Sequence, residues 1–352
     1  MMHSLGHEVY LYAGYQNEAA CTEHIVIMDE AHHKKWWGDN DYTKDFFAIQ
    51  WDSKLSYWQH ANNNAIAEIK KRIQPRDFIC LIGGVCQKPI ADAFPQHMAV
   101  EFGIGYEGVF SAYRVFESYA WMHYLYGKLN QNDGSSYDAV IPNYFDPTDF
   151  PLTTRNQKSD YFAYMGRLVR RKGIELAVET TRRLGKKLKI AGQGVIDYRP
   201  GYIKAAELTI EGDHIEYVGV LGVKERAEFM GKARALFVPT TYIGPWEGVH
   251  VESLFCGTPV ITSDWGVFSS TVPDGQVGYR VRTLGEAMWA VRNVDKLWGP
   301  MHLREYARNR FSLDVVKYQY QEYFERLMTL WGDGWYDTNF TGFIKREAGG
   351  FV

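Results

Sequence analysis

The chain has 352 residues, room for roughly two domains, and its 46% apolar and 23% charged residues exclude extended disorder, collagen-like sequence and a disulfide scaffold. No window approaches the ~20 apolar residues of a membrane span. Lys and Arg number 39 against 42 Asp and Glu, a net charge of −3 that argues against a surface coated with nucleic acid.

Aromatic residues reach 15%, with 24 Tyr and 11 Trp, flat amphipathic rings that suit sugar and base stacking and also fill large cores. Cys21, Cys80, Cys86 and Cys256 lack CxxC or zinc-ligand spacing, and the N-terminus has no basic-then-apolar leader. The expectation is a reduced, cytoplasmic protein.

The opening Met1–His7 reads as the last turn of a helix stopped at Gly6, with a strand over His7–Ala13. A βαβ domain normally starts with a strand before its first helix. Either the sequence begins at an internal methionine or the fold tolerates the loss of that strand, and with it the glycine-rich turn that usually follows. The run His32-His33-Lys34-Lys35-Trp36-Trp37 reads as an exposed loop, because adjacent side chains chelate poorly and no further ligands follow at metal spacing.

Ile66, Ile69 and Ile73 recur at three- and four-residue spacing and predict a helix over Ala65–Ile73. Strands follow at Phe78–Ile82, Met98–Phe102 and Ala139–Ile141, with a helix over Val109–Tyr126 that carries Glu117, Trp121 and His123. Between the second strand and that helix, Gly103, Gly105 and Gly108 form a GxGxxG match, the dinucleotide fingerprint. It stands alone, with no acidic residue ending a next strand about 20 positions on, so a nicotinamide oxidoreductase is the weaker alternative.

Polar turn formers fill Asn130–Ser136 and again Asp146–Ser159, and the second stretch is the predicted domain boundary. Beyond it come strands Tyr161–Met165, Leu188–Ala191, Ile215–Val218, Ala235–Pro239 and Val260–Thr262, alternating with helices Ile174–Leu184 and Lys224–Arg234. From Ser312, a candidate N-cap, a long amphipathic helix runs to Trp331 with Val316, Tyr320, Phe324 and Leu327 on one side.

Two segments of this half carry chemistry. Met165–Gly173 follows a strand and opens a helix, so Arg167 and Lys172 lie where backbone N–H groups and the helix dipole favour an anion; Arg170, Arg171, Arg182, Arg183, Lys186 and Lys187 read as a solvated face. In Thr240–Ile261 a glycine- and proline-containing loop leads into a short helix that starts near Glu247 and stops at Gly257. A helix start of this kind suits phosphate, and a carboxylate one turn in, Glu252, can take both ribose hydroxyls of a nucleotide; the plain alternative is an amphipathic helix whose glutamates face water.

Gly166-Arg167-Leu168 with Lys172-Gly173-Ile174-Glu175, then Ile190-Ala191-Gly192-Gln193-Gly194, Val218-Gly219 and Val251–Asp264 fall in an order and spacing, over about residues 160–280, that resembles the nucleotide-sugar-binding half of family 4 (group 1) retaining glycosyltransferases. Asp274–Tyr279 continues the likeness. Val140–Asp146 is similar to the segment closing the acceptor domain of that family.

The resemblance implies an α/β protein of the GT-B fold: two Rossmann-like domains facing across a cleft, with a C-terminal helix crossing back to the first. Residues 1–150, joined by about 312–352, would hold the acceptor, and 151–311 the nucleotide sugar. It implies sugar transfer from a nucleotide diphosphate with retention of configuration, with no cofactor beyond the donor and no bound metal. By position, Arg167 and Lys172 would neutralise the leaving diphosphate and Glu252 would hold the ribose. Gly166, Gly192, Gly244, Trp246, Gly248 and Val249 would line the donor site.

The family pattern places a glutamate eight positions before the second one, followed by Pro-Phe-Gly, to contact the donor sugar. Here the run is Gly244-Pro245-Trp246-Glu247, so glutamate and glycine have exchanged places. Either Glu247 reaches the sugar from its new position, joining Arg167 and Lys172 as a catalytic group, or the site has changed its donor or lost its activity, leaving a nucleotide-sugar-binding protein without turnover.

In the first half, Glu101, Gly103, Tyr106, Arg114 and His123 are candidates for contact with the acceptor or the donor sugar, and Trp36, Trp37, Trp51 and Trp58 fit an acceptor groove or the core. A glycan, a lipid-linked sugar or another hydroxyl compound would be the acceptor. Lys70-Lys71-Arg72 would permit weak contact with a membrane surface, and the net acidic charge counts against nucleic acid.

Overall fold

The computed structural model describes residues 1–39 and 50–331. The first half contains β1 (Tyr10–Gly14), β2 (Glu23–Met28), α1 (Glu30–Trp37), α2 (Ser56–Ile69), β3 (Phe78–Leu81), α3 (Lys88–Asp92), β4 (Met98–Ile104), β5 (Tyr113–Phe116), α4 (Tyr119–Lys128) and β6 (Asp138–Val140). Strands β3 to β6 form a four-stranded parallel sheet in sequence order, and β1 pairs with β2 in a separate parallel ribbon. Tyr12 of β1 and Ile27 of β2 pack on the same apolar cluster as Ile79 and Leu81 of β3 and Ala65 and Ile69 of α2.

The second half runs β7 (Phe162–Met165), α5 (Ile174–Arg183), β8 (Leu188–Ala191), β9 (Val195–Arg199), β10 (Tyr202–Ala205), β11 (Thr209–Glu211), β12 (Ile215–Gly219), α6 (Val223–Lys232), β13 (Leu236–Val238), α7 (Val249–Phe255), β14 (Val260–Ser263), α8 (Phe268–Thr271), β15 (Gly278–Val281) and α9 (Leu284–Asn293). Its main sheet is parallel and six-stranded, in the order β12-β8-β7-β13-β14-β15. Apolar runs such as Phe162-Ala163-Tyr164 are buried because helices cover both faces of such a sheet. Strands β9, β10 and β11 make a small antiparallel sheet that hydrophobic periodicity did not announce: Ile203 and Ile210 face inward, whereas Ile196 and Tyr198 are exposed.

The C-terminal helices α10 (Pro300–Phe311) and α11 (Leu313–Met328) divide their loyalties. Leu303, Tyr306, Ala307 and Phe311 join Val251, Leu254 and Phe255 of α7 in one core. The chain then turns at Ser312, which bridges Phe145, and α11 lays Val316, Tyr320, Tyr323 and Leu327 on Met98, Val100 and Val115 of the first sheet and on Ile141 just beyond β6. The helix therefore crosses back to the first domain, as the sequence implied. Ser312 stands at its N-cap position, but its hydroxyl makes no capping bond. Residues 332–352 of the predicted C-terminal segment lie outside the described residues.

Three expectations are corrected. The helix placed over Val109–Tyr126 is in its first part strand β5, and α4 begins only at Tyr119, capped by the Ser118 hydroxyl, which accepts from the Trp121 N–H at 3.2 Å. Consequently the GxGxxG run leads from β4 into a loop and a strand, not into a helix, and it has no dinucleotide-binding geometry. The His32–Trp37 run is not a loop but most of α1, capped by Asp29; the His32 and His60 rings stack with centroids 4.0 Å apart.

Arg304 of α10 fastens this junction: its guanidinium donates to the carbonyls of Phe150, of Phe255 at 2.6 Å and of Pro147 at 2.9 Å. Hydrogen bonds to a charged donor in a half-buried site are among the stronger ones, so Arg304→Met should lower the unfolding free energy by about 2–4 kcal/mol in a urea titration. An unchanged midpoint would show that the junction does not rely on it.

Candidate functional site

The order of the six-stranded sheet locates a binding crevice. From β7 the chain steps outward to β8 and β12, then returns to the other side of β7 as β13, so the direction of winding reverses between β7 and β13. Ligands of parallel α/β sheets bind outside the carboxyl ends of strands at such a point. The loops that emerge there are Gly166–Gly173 and Pro239–Gly248, the two segments selected from the sequence.

The loops are joined by their backbones: the Thr241 N–H and hydroxyl donate to the Arg171 carbonyl at 2.8 and 3.0 Å. Gly173 has φ 70°, and a Cβ there would lie 2.0 Å from the Pro239 carbonyl oxygen. Gly192 is equally constrained, with φ 144° and a hypothetical Cβ 1.9 Å from the Gly166 carbonyl oxygen. These close approaches stack the β7, β8 and β13 turns, and only glycine permits them.

Across the crevice mouth the Lys172 ammonium pairs with the Glu247 carboxylate, with side chains only 14% and 6% exposed. Burial pulls the Lys172 pKa down while Glu247 pulls it up. The Tyr242 hydroxyl also bonds Glu247, and its ring lies beneath both Arg171 and Lys172 at 4.6 and 5.2 Å; burial first, then Glu247, raises this phenol to about 12. Arg167 sits close enough to oppose the charge of Lys172. The result is a compact cationic cluster with one carboxylate inside it.

Glu247 holds φ at 82°, the left-handed region that costs an L residue roughly 1–2 kcal/mol. It thus adopts the backbone conformation suited to the glycine that the resembling pattern has at this position. Its side chain folds back over Gly244, where a Cβ would meet Glu247 Oε1 at 2.5 Å. The exchanged glutamate therefore fills the space in which a side chain at 244 would begin. His250 supports the strained residue, donating from Nδ1 to the Glu247 carbonyl at 2.5 Å. Complete burial lowers the His250 pKa to about 4, so the ring is neutral.

Helix α7 begins at Val249, two residues later than expected, and the N–H groups of His250, Val251 and Glu252 already bond the Glu247 and Gly248 carbonyls. The start of α7 therefore has few free N–H groups to offer an anion, and the positive charge of the crevice lies on Arg167, Arg171 and Lys172. Glu252 is 5% exposed, with Oε1 3.2 Å from Arg226; burial raises its pKa and Arg226 lowers it. Its Oε2, the His250 Nε2 and the Trp246 Nε1 have no partner among the described residues. Buried polar atoms are seldom left unpaired, and a free carboxylate oxygen beside the crevice is what a ribose diol would satisfy.

The candidates of the first domain fare differently. Glu101 is fully buried, accepting from the Phe110 and Ser111 N–H groups at 2.8 and 2.7 Å and from the Tyr106 hydroxyl at 3.3 Å. It shapes the loop after β4 instead of meeting a ligand. Arg114 is held by Asp138 through Nε and Nη2 at 2.8 and 2.7 Å, and is likewise closed off. His123 lies on the exposed side of α4 beside Tyr119 and Tyr126. Gly103, at φ 56°, and Tyr106 remain at the end of β4, where the sequence put them. Trp58 is core, and the exposed Trp51 stacks on Tyr106.

A carboxyl that the sequence reading had not assigned to the site stands among them. Glu117 directly follows β5 and is half-buried, and its neighbour Ser118 donates to the Pro245 carbonyl of the Gly244–Glu247 loop at 2.8 Å. A helix expected over Val109–Tyr126 hid it, since only a strand places residue 117 at the sheet's carboxyl edge.

Residues 146–308 match the family described as glycosyl transferases group 1. A glycogen synthase of Mycobacterium tuberculosis (strain CDC 1551 / Oshkosh) is 30% identical over 165 residues, which are 44% of this chain and 39% of that protein. The chain thus matches about two-fifths of that relative's length. Among solved structures, AviGT4, a glycosyltransferase involved in avilamycin A biosynthesis, superposes with TM-score 0.64 at 19% identity over 93% of this chain and 87% of its own. HepE of Anabaena in complex with UDP-glucose gives 0.58 at 14% identity over 77% and 82%. These likenesses give the GT-B fold.

Because Lys172 and Glu247 are both shielded from water, removing either partner strands the other, whereas removing both does not. A double-mutant cycle of Lys172→Met and Glu247→Gln, read by urea unfolding, should give a coupling of about 1–3 kcal/mol. Strictly additive effects would contradict the pairing.

Proposed function

From the match of residues 146–308 to the group 1 glycosyl transferases, we propose that the chain transfers a sugar from a nucleotide-diphosphate donor to a hydroxyl acceptor, with retention of anomeric configuration. The observation that carries this reading is the placement of Arg167, Lys172, Glu247 and the half-unpaired Glu252 around the one point where the six-stranded sheet reverses its winding.

Each group has a task set by its surroundings. Glu252 Oε2 receives the ribose hydroxyls. The diphosphate lies over Arg167 and Lys172 and competes with Glu247 for the Lys172 ammonium. Once displaced, the Glu247 carboxylate is free to bond hydroxyls of the donor sugar from the space beside Gly244.

Breaking the bond between the anomeric carbon and the β-phosphate oxygen leaves negative charge on that oxygen. Cations already fixed there, in a site largely closed to water, lower the barrier by preorganised electrostatics. The acceptor, a glycan, lipid-linked sugar or other hydroxyl compound, enters from the first domain's side. No helix among the described residues is long and apolar enough to cross a membrane.

A thermal-shift titration with UDP, GDP and ADP and their common sugar conjugates tests the donor site, because a ligand specific to the folded state raises the melting temperature. One nucleotide should stabilise the wild type and lose its effect in Glu252→Ala. Lys172→Met should retain nucleoside binding yet release product about 100-fold more slowly. Full activity in both variants would sink the assignment, and binding without turnover in the wild type would leave a nucleotide-sugar-binding protein.

A further inference from the structure

The carboxyl ends of β4, β5 and β6 converge on one side chain. Glu117 follows β5; its Oε2 lies 2.6 Å from where a Cβ on Gly105 would be, and its Oε1 accepts from Asn143 Nδ2, beyond β6, at 3.1 Å. Gly105 thus leaves the space that the carboxyl occupies. The Ser118 hydroxyl, one residue on, bonds the Pro245 carbonyl, so Glu117 stands beside a direct contact between the first domain and the loop that carries Glu247.

We propose that Glu117 binds the acceptor hydroxyl, accepting a hydrogen bond from it and orienting its oxygen toward the anomeric carbon of the donor; this rests on the glycosyl-transfer reading above. Asn143 fixes one carboxyl oxygen and leaves lone pairs on both for a second donor. No cation pairs with Glu117 among the described residues; Asn143 is its hydrogen-bond partner, and Tyr106 from the loop after β4 and Tyr320 of α11 lie close enough to feel its charge. Burial raises its pKa to about 7, an unstable arrangement for a purely structural carboxyl and a suitable one for a group that meets a hydroxyl.

In the transfer step the bond from the anomeric carbon to the phosphate oxygen breaks and the bond to the acceptor oxygen forms. The hydroxyl proton leaves with the nucleoside diphosphate. Glu117 ends as it began, ionised and hydrogen-bonded.

The test compares wild type, Glu117→Gln and Glu117→Asp. Nucleoside diphosphate release is followed, with water and with methyl glucoside as acceptors, from whichever UDP, GDP or ADP sugar raises the melting temperature most. The donor-induced shift should be the same in all three proteins. Wild-type turnover should rise with pH through about 7, as the carboxyl ionises. Glu117→Gln should be about 10–100-fold slower without that rise, and Glu117→Asp should recover part of the rate and all of the pH dependence on it.

Wild-type rate and pH profile in Glu117→Gln would overturn the proposal while leaving the donor site intact. If Glu117→Gln fails to fold, an unaltered profile in Glu117→Asp does the same. No stabilisation of the wild type by any nucleotide would instead fell the glycosyl-transfer reading, and the acceptor role with it.

Discussion

The ion pair between Lys172 and Glu247 is the contact on which the site turns. It joins the loop after β7 to the loop after β13 at the reversal of the sheet, where neither side chain has much water to compensate its charge. A pair so shielded adds little net stability, but losing one member leaves a charge that nothing else satisfies. It is also local in consequence: Glu247 is held in a left-handed backbone state, supported at its carbonyl by His250 and at its carboxylate by Lys172 and Tyr242. Strain of this kind persists only where the surroundings over-determine it, and such places cluster at functional sites.

The rest of the fold presents this contact to a second domain. Phe145 and Ser312 bridge in extended backbone, Arg304 gathers three carbonyls nearby, and α11 returns to the first sheet. Ser118 reaches the Pro245 carbonyl and Phe145 packs against Gly248, so the loop that carries Glu247 touches the first domain on both sides of that residue. Movement of one domain against the other would therefore act on Glu247 through a few bonds.

Much of this was legible in the sequence. In the second half, buried parallel strands are short apolar runs and each is followed by a helix-period stretch, so β7, β8, β12, β13 and β14 and helices α5 and α6 stand near their predicted places. Arg167 and Lys172 stand out as charges in a glycine-containing loop after a strand, Glu252 as a carboxylate one turn into a short helix, and Glu247 by its exchange with Gly244. The first half read less well. The aromatic-rich run Val109–Tyr126 has no clear period, so β5 merged into α4, and Glu117 was lost from view with it. Glu101 and Arg114 drew notice as charges near a glycine-rich loop, but sequence cannot show that backbone amides and Asp138 already satisfy them. Nor could it show that Glu247 folds back over Gly244, since that depends on a φ angle rather than on spacing.

The central claim is that the exchange of glutamate and glycine is compensated, one carboxylate reaching the same space from a different residue. The direct measurement is the transfer rate of the reversed pair, Gly244→Glu with Glu247→Gly, beside Glu247→Gly alone, with donor-induced melting shifts recorded for each. The account predicts that the single variant binds nucleoside diphosphate but loses sugar transfer, and that restoring a glutamate at 244 returns most of the rate. Undiminished transfer by Glu247→Gly alone would contradict it, because no carboxylate would then be needed beside Gly244.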